Sequence, residues 1–280
     1  CKYKIISHPF LLGIGGDSGA GKSFISNYLA NIFTPEKTCL IRGDDRHKWT
    51  RGHEKWQQQT HLNPKSNALH EEIYFLKKLK QGKIQYRKHY DHSTGQFTSA
   101  QPVIANHLLL YEGLHPFYIS AQSSLYDAKI FIKPEKDLLS HWKIIRDINE
   151  RCHTKESILQ SIRSRETDMK KYIQTQTDKA DILIEPLLLS PIQNIGDPNE
   201  LLHVFYKILL SNAIYIEPLL EALNAIESLT IQHQYLENDV QLVVLKGDCS
   251  ALELQMIAQA YIPGLEELGV IQSDWPKGIL

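Results

Sequence analysis

The ten residues Gly15–Phe24, GGDSGAGKSF, carry the most specific fold signal in the chain. It contains the pattern G-x-x-x-x-G-K-[ST], in which backbone N–H groups and a helix N-terminus cradle the phosphates of a nucleotide. The apolar run PFLLGIGG predicts a buried strand before the loop, and a helix is expected from about Lys22 to Ile32. An accidental glycine turn would lack this strand and helix. We therefore expect ATP contacts from nine consecutive residues: Gly16, Asp17, Ser18, Gly19, Ala20, Gly21, Lys22, Ser23 and Phe24.

Composition indicates a soluble globular chain with a substantial core. The 280 residues are 42% hydrophobic and 22% charged, and the net charge is −1. This suits one large domain, or one domain and a smaller appendage. No long Lys/Arg run is present, so we expect neither a nucleic acid nor a membrane as partner.

The cysteines and the apolar segments favour a cytoplasmic protein. Cys1, Cys39, Cys152 and Cys249 are scattered without metal-site or disulfide spacing, which predicts reduced thiols. The most apolar long stretch, residues 201–220, contains His203, Lys207, Asn212 and Glu217 and is predicted to be a buried helix rather than a membrane span. We expect no secretory signal.

The order of elements predicts an α/β fold. Strands alternate with helices up to Pro186, which favours a P-loop NTPase fold with a mostly parallel or mixed central sheet flanked by helices. Beyond that point come a proline-containing loop, the apolar stretch, a strand in DVQLVVLKGD and a helix in ALELQMIAQAYI. We predict a nucleotide-binding P-loop domain over residues 1–195 and a small C-terminal α+β appendage over 196–280.

Two places carry carboxylates at predicted strand ends. Asp44 and Asp45 follow the strand in KTCLIRGDD, where side chains reach the ligand crevice of an open α/β sheet. A kinase needs a carboxylate there to orient an acceptor hydroxyl and accept its proton. A helix cap or solvated turn is an equally good interpretation of these residues alone. Glu112 follows LLLY, where such enzymes often place a metal partner, with a plain loop carboxylate as the alternative.

A predicted helix carries Lys143, Asp147 and Arg151 on one face, with Arg146 beside them. From spacing alone, an ordinary salt-bridged surface helix is the favoured interpretation.

Six histidines lie between His47 and His92 without a metal-binding pattern, so hairpin polar contacts are preferred to a metal site there.

Six motifs in order, over residues 9–186, resemble the phosphoribulokinase/uridine kinase family, and lean towards its plant and cyanobacterial phosphoribulokinase branch. They are GDSGAGKS, RGDDRHKWTR, KHYDHSTG, YEGLHPFY, WKIIRDINERCHTKESI and SIRSRETDMKKYI. The resemblance implies Mg²⁺-dependent transfer of the γ-phosphoryl group of ATP to a hydroxyl of a small pentose-type acceptor, ribulose 5-phosphate or a related sugar phosphate. A kinase for uridine, another nucleoside or another sugar is the alternative, and so is a nucleotide-binding regulator without turnover. The oligomeric state, including a homo-oligomer, stays open.

The same resemblance implies roles for individual residues, and it overturns the interpretation of Lys143, Asp147 and Arg151 as part of an ordinary surface helix. Asp44 would be the catalytic base, and Lys22, Lys143, Arg146 and Arg165 would complete the catalytic set, with Arg165 as a lid arginine. Ser23 and Glu112 would be associated with the metal. The expected acceptor contacts are Asp44, His47, Arg51, His92, Lys143, Arg146 and Arg151.

Three departures from the plant-type pattern have expected consequences. Ala20 stands where that branch has a regulatory cysteine, so redox switching through this position is not expected. Arg46 replaces a usual aromatic and is expected to alter the acceptor pocket. Cys152 replaces a glycine after Arg151, so a different turn is expected there.

Overall fold

The computed structural model describes residues 8–33 and 36–261. Cys1 and the last 19 residues of the predicted appendage lie outside these ranges. The strands of the described residues are β1 (Phe10–Gly16), β2 (Thr38–Arg42), β3 (Gln85–Arg87), β4 (Tyr90–Asp91), β5 (Gln96–Phe97), β6 (Gln101–Val103), β7 (Leu108–Gly113), β8 (Ala128–Ile132), β9 (Ile182–Leu188), β10 (Val204–Ser211), β11 (Leu229–Tyr235) and β12 (Val240–Gly247). The helices are α1 (Lys22–Ile32), α2 (Lys55–Gln58), α3 (Leu69–Lys80), α4 (Ser120–Ser123), α5 (Lys136–Arg151), α6 (Lys155–Asp168), α7 (Glu217–Asn224) and α8 (Ala251–Tyr261).

Eight strands form one sheet in the order β11-β12-β10-β9-β8-β1-β7-β2. The five strands from β9 to β2 are parallel to one another, and β10, β12 and β11 add antiparallel pairings. The α/β prediction with a mostly parallel central sheet is confirmed. Because parallel strands end at the same edge, the segments after β1, β2 and β7 are brought together there.

Local sequence signals placed most of these elements correctly. The helix expected from Lys22 to Ile32 is α1, and the predicted amphipathic helix before Gly82 is α3. Gly82 ends it with φ +74°, a conformation that glycine adopts without a steric cost. The predicted hairpin turn at Ser93-Thr94-Gly95 connects β4 to β5.

The helix predicted over residues 201–220 is wrong. This stretch forms strand β10, a turn and the beginning of α7. Strand β10 is hydrogen-bonded to β9 on one side and to β12 on the other. A strand inside a sheet with apolar residues on both faces loses the alternation that would distinguish it from a buried helix.

The C-terminal strands continue the main sheet. β10 pairs with β9 from Val204 opposite Leu188 to Leu210 opposite Ile182. The predicted boundary at residues 195 and 196 falls in the loop between these two strands and stays a prediction. The edge strand β11 was not predicted, because its sequence LTIQHQY is mostly polar.

The main core lies between the parallel strands and helix α3. Leu11, Leu109, Phe75 and Leu76 are at most 3% exposed there. This packing holds β1, β2 and β7 in register, and so fixes the loops at their carboxyl ends.

Among the described residues, every helix is too short or too polar to span a bilayer.

Candidate active site

The phosphate loop connects β1 to α1. Gly19 and Gly21 have φ of +91° and +92°, which residues with a Cβ rarely adopt. A Cβ at Gly19 would lie 3.0 Å from the Cβ of Lys143, so the loop packs directly against α5. The Lys22 ammonium donates to the carbonyl of Asp17 at 2.7 Å, which holds it across the loop. Desolvation lowers the pKa of Lys22, while the charges of Asp44 and Glu112 oppose this shift.

Glu112 connects the end of β7 to the first turn of α1. Ser23 Oγ donates to its Oε1 at 3.1 Å, and Ser26 Oγ donates to its Oε2 at 3.0 Å. Arg42 Nε lies 3.5 Å from the same carboxylate. A hydroxyl and a buried carboxylate are hard oxygen donors of the kind that Mg²⁺ prefers, so Ser23 and Glu112 fit this metal. In the described part of the chain no three His, Cys, Asp or Glu side chains cluster as metal ligands, so phosphate and water oxygens would have to complete the coordination.

Asp44 lies in the 3₁₀ turn Gly43–Arg46 that follows β2, and its side chain is 35% exposed to the cleft. His92 Nε2 lies 3.2 Å from its Oδ2, and His47 Nε2 lies 3.7 Å from its Oδ1. Desolvation would raise the pKa of Asp44. The hydrogen bond from His92 and the charges of His47, His92 and Lys22 outweigh it and hold this pKa well below its usual range. Asp44 is therefore an ionised carboxylate next to the phosphate loop.

Asp45 points away from the cleft and is buried in an ionic network. Its side chain is 3% exposed, and Arg87 Nε donates to its Oδ2 at 2.9 Å. The backbone N–H of Tyr90 donates to its Oδ1 at 2.8 Å, and Arg87 also binds Glu72 at 2.8 Å. Asp45 thus anchors strand β4, and through it the hairpin that carries His92.

Arg46 does not line the cleft. Its guanidinium pairs with Glu72 and lies 5.1 Å from the centre of the Phe75 ring. The expectation that Arg46 alters the acceptor pocket is not supported by this geometry, because the side chain belongs to the same buried network as Asp45 and Arg87.

The basic face of α5 is turned towards the phosphate loop. Asp147 Oδ1 accepts from Arg146 at 2.7 Å and lies 3.4 Å from Arg151 Nη1. Arg146 also donates to Ser18 Oγ of the loop at 3.2 Å. Lys143 and Asp147 are 5% and 6% exposed, so the interpretation as an ordinary surface helix is wrong.

Burial and neighbouring charges lower the pKa values of cations at this face. Desolvation, with the nearby charges of Arg165 and Arg146, lowers the pKa of Lys143 to about 7. Desolvation also lowers the pKa of Arg165 to about 10. A set of cations packed this closely favours a bound anion, since an anion relieves their mutual repulsion.

Arg51 connects two segments at the mouth of the cleft. Its guanidinium donates to the carbonyls of His92 and, at 3.3 Å, of Ser93.

Cys152, just after α5, has φ +55° at the helix end, a left-handed conformation that glycine adopts more easily. Arg151 and His153 on either side of it both face the cleft.

A single cleft of about 1620 Å³ brings the predicted residues together. Its walls include most of the phosphate loop and the following predicted residues: Asp44, His47, Arg51, His92, Glu112, Arg146, Arg151 and Arg165. Lys143 lies behind this wall, against Gly19. Sequence reasoning missed His61, Trp56 and Tyr90, which also line the cleft. Tyr90 stands inside the motif KHYDHSTG, which could have pointed to it. His61 and Trp56 lie outside the six motifs, so only the fold identifies them.

Comparison with known proteins agrees with this geometry. Residues 11–191 match the model of the Phosphoribulokinase / Uridine kinase family. A phosphoribulokinase of Synechocystis sp. is 36% identical over 177 residues, which cover 63% of this chain and 53% of that protein. A chloroplastic phosphoribulokinase of Triticum aestivum is 32% identical over 212 residues, with 70% and 52% covered. The chain thus spans about half the length of these relatives.

The fold of the chain is also similar to that of a protein of known structure. The solved structure of a phosphoribulokinase from Rhodobacter spheroides superposes with a TM-score of 0.69 at 22% identity, covering 93% of this chain and 98% of that one. The similarity in architecture therefore includes the C-terminal strands of the sheet. With the family model matching residues 11–191, the chain belongs to the phosphoribulokinase/uridine kinase family.

Proposed function

We propose that this protein transfers the γ-phosphoryl group of ATP to a hydroxyl of a sugar phosphate, with ribulose 5-phosphate as the first candidate. One observation carries the proposal: the ionised carboxylate of Asp44 and a group of cations face the same cleft as the phosphate loop. Relatives named as phosphoribulokinases support this choice of acceptor.

The phosphate loop is suited to bind ATP. Its N–H groups and the N-terminus of α1 would bind the phosphates, and Lys22 would exchange its contact with the Asp17 carbonyl for a phosphate oxygen. Ser23 and Glu112 would hold Mg²⁺, which would supply positive charge to neutralise the charge that develops during phosphoryl transfer.

Asp44 is suited to be the general base. Asp44 is ionised at neutral pH and faces the cleft, so it can orient the acceptor hydroxyl and accept its proton. His92 and His47 hold the carboxylate from two directions. Phosphoryl transfer demands mainly positioning and charge stabilisation, which the surrounding residues supply.

The cations favour an acceptor that is itself phosphorylated. Arg146 and Arg151 share the carboxylate of Asp147, and Arg51 lines the same cleft, so these three cations outnumber the carboxylate that pairs with them. Arginine binds phosphate through charge-assisted and often bidentate hydrogen bonds. An uncharged nucleoside would leave part of this set without an anion other than the phosphates of ATP.

The test is a side-by-side assay of ATP consumption with ribulose 5-phosphate, other pentose phosphates, uridine and cytidine. We expect the fastest turnover with ribulose 5-phosphate. Arg51→Ala should raise the KM of the acceptor more than that of ATP. Lys22→Ala should lower kcat/KM by at least about a hundredfold, since it removes a charge from the β/γ-phosphates.

Two outcomes would contradict the proposal. Faster turnover of a nucleoside would favour a nucleoside kinase of the same family. ATP binding without turnover of any acceptor would favour a nucleotide-binding regulator.

A further inference from the structure

Two adjacent residues outside the predicted site, Thr60 and His61, contact the helix that carries Arg165. Thr60 Oγ1 donates to Asp168 Oδ2 at 2.7 Å, and Nη1 of Arg165 lies 3.3 Å from Nε2 of His61. Arg165 and Asp168 are three residues apart on α6, so they lie on one face of its last turn. Both contacts therefore hold the same end of the helix.

Helix α6 has little apolar burial to hold it. Of its 14 residues, Ile158 is the one that is buried. Helices in proteins owe most of their stability and position to an apolar face packed against the core. Where that face is small, the position of the last turn depends on its polar contacts.

The segment 60–62 is itself fixed to the core. Leu62 is 1% exposed, and its carbonyl accepts from Nε2 of His115 at 2.7 Å. The carbonyl of His61 accepts from the Asn67 amide at 3.0 Å. The segment is thus a rigid support for the side chains that reach α6.

The chemistry of the contact determines the state of His61. A guanidinium can only donate, so Nε2 of His61 must accept, and the ring is neutral with its proton on Nδ1. Desolvation and the charges of Arg165 and His47 lower the pKa of His61 well below its usual value, which preserves this neutral form.

We propose that Thr60 and His61 are positioning residues that hold the C-terminal turn of α6, and with it the Arg165 guanidinium, at the wall of the cleft. The inference about catalysis rests on the proposed function: Arg165 would stabilise the charge of the transferred phosphoryl group only while it is held there. His61 acts through Arg165 and need not touch a substrate.

Hydrogen exchange on the full chain without ligands tests the structural half of the proposal. In His61→Leu and Thr60→Val, amides of the last turn of α6 should exchange at least about tenfold faster, since a hydrogen bond to a charged group is lost in each. Exchange in β1 and β7 should not change. His70→Leu, the same substitution at an exposed position of α3, is the matched control. Unchanged exchange of α6 in both variants would overturn the proposal.

Kinetics test the catalytic half. His61→Leu should lower kcat about tenfold with both KM values within about threefold, and His61→Gln, whose Oε1 can accept from Arg165, should restore most of it. In an Arg165→Gln background, His61→Leu should cost nothing further, because both changes act through the same guanidinium. Arg163→Gln, on an exposed position of the same helix, is the control for loss of charge.

The outcomes separate this proposal from the proposed function. Additive losses from His61→Leu and Arg165→Gln would show that His61 does not act through Arg165, and would overturn the proposal. A wild-type protein without phosphoryl transfer would refute the proposed function, while the exchange experiment still decides whether Thr60 and His61 hold α6.

Discussion

Asp44 and Asp45 are neighbours in sequence, yet the structure predicts opposite consequences for the same substitution. Asp44→Asn keeps the shape of a group in the cleft and removes the proton acceptor. General-base catalysis contributes about 10²–10⁴ to a rate, so kcat should fall by about that factor, or about 3–5 kcal/mol in the barrier. The thermal midpoint should change little, because Asp44 is 35% exposed.

Asp45→Asn should instead reduce stability. It removes the charge opposite Arg87, and the two side chains are 3% and 1% exposed. Breaking a buried ion pair costs about 3–5 kcal/mol, and Glu72 still partners Arg87, so we expect about 3 kcal/mol. At about 2–4 °C per kcal/mol for a chain of this size, the midpoint should fall by about 6–12 °C.

The assay measures kcat, both KM values and the thermal midpoint for each variant at neutral pH. As a control, Asp44→Asn should bind ATP with the affinity of the wild-type protein in calorimetry. This result would exclude damage to the nucleotide site. The reasoning is refuted if Asp44→Asn keeps kcat within about tenfold, or if Asp45→Asn loses activity at an unchanged midpoint.

Two further predictions concern α5 and its end. Since the pKa of Lys143 is lowered to about 7, the free protein should lose this positive charge as the pH rises through about 7. The kcat/KM for a phosphorylated acceptor should therefore fall as the pH rises above about 7. Lys143→Arg should remove this alkaline fall, because arginine stays charged. If the fall persists in the variant, it is caused by the titration of another group. Cys152→Gly should raise the free energy of unfolding by about 1 kcal/mol, because glycine adopts φ +55° without the Cβ penalty; a lower midpoint in urea would contradict this.

The buried strand β10 shows where local pattern fails. Its apolar residues and those of the following turn gave one long run, which sequence periodicity cannot assign to a strand or a helix. Pairing with β9 and β12 decides the outcome, because a strand between two others satisfies its backbone groups on both sides. These pairings depend on residues up to 39 positions away in the chain, as in the pair of Tyr206 with Leu245.

The phosphate loop is the part of the site that can be predicted from local sequence. Its glycines supply backbone conformations that few other residues tolerate, and the helix begins at Lys22 directly after them. All of this lies within ten residues, so no tertiary contact is needed to predict it. The family motifs extended the prediction to Asp44, Glu112 and Arg165 because each stands inside a recognisable pattern.

The tertiary structure alone decided which way those side chains face. In the 3₁₀ turn after β2, successive side chains point about 120° apart, so Asp44 reaches the cleft while Asp45 reaches Arg87, 42 residues away. The basic face of α5 has the spacing of a surface helix. Its contacts with the phosphate loop, such as that of Arg146 with Ser18, 128 residues away, make it a wall of the site. His61 lies in no motif, and its proposed role follows from its contact with Arg165, 104 residues further along the chain. Side-chain direction and long-range contact depend on how the sheet assembles, and a local sequence pattern does not contain that information.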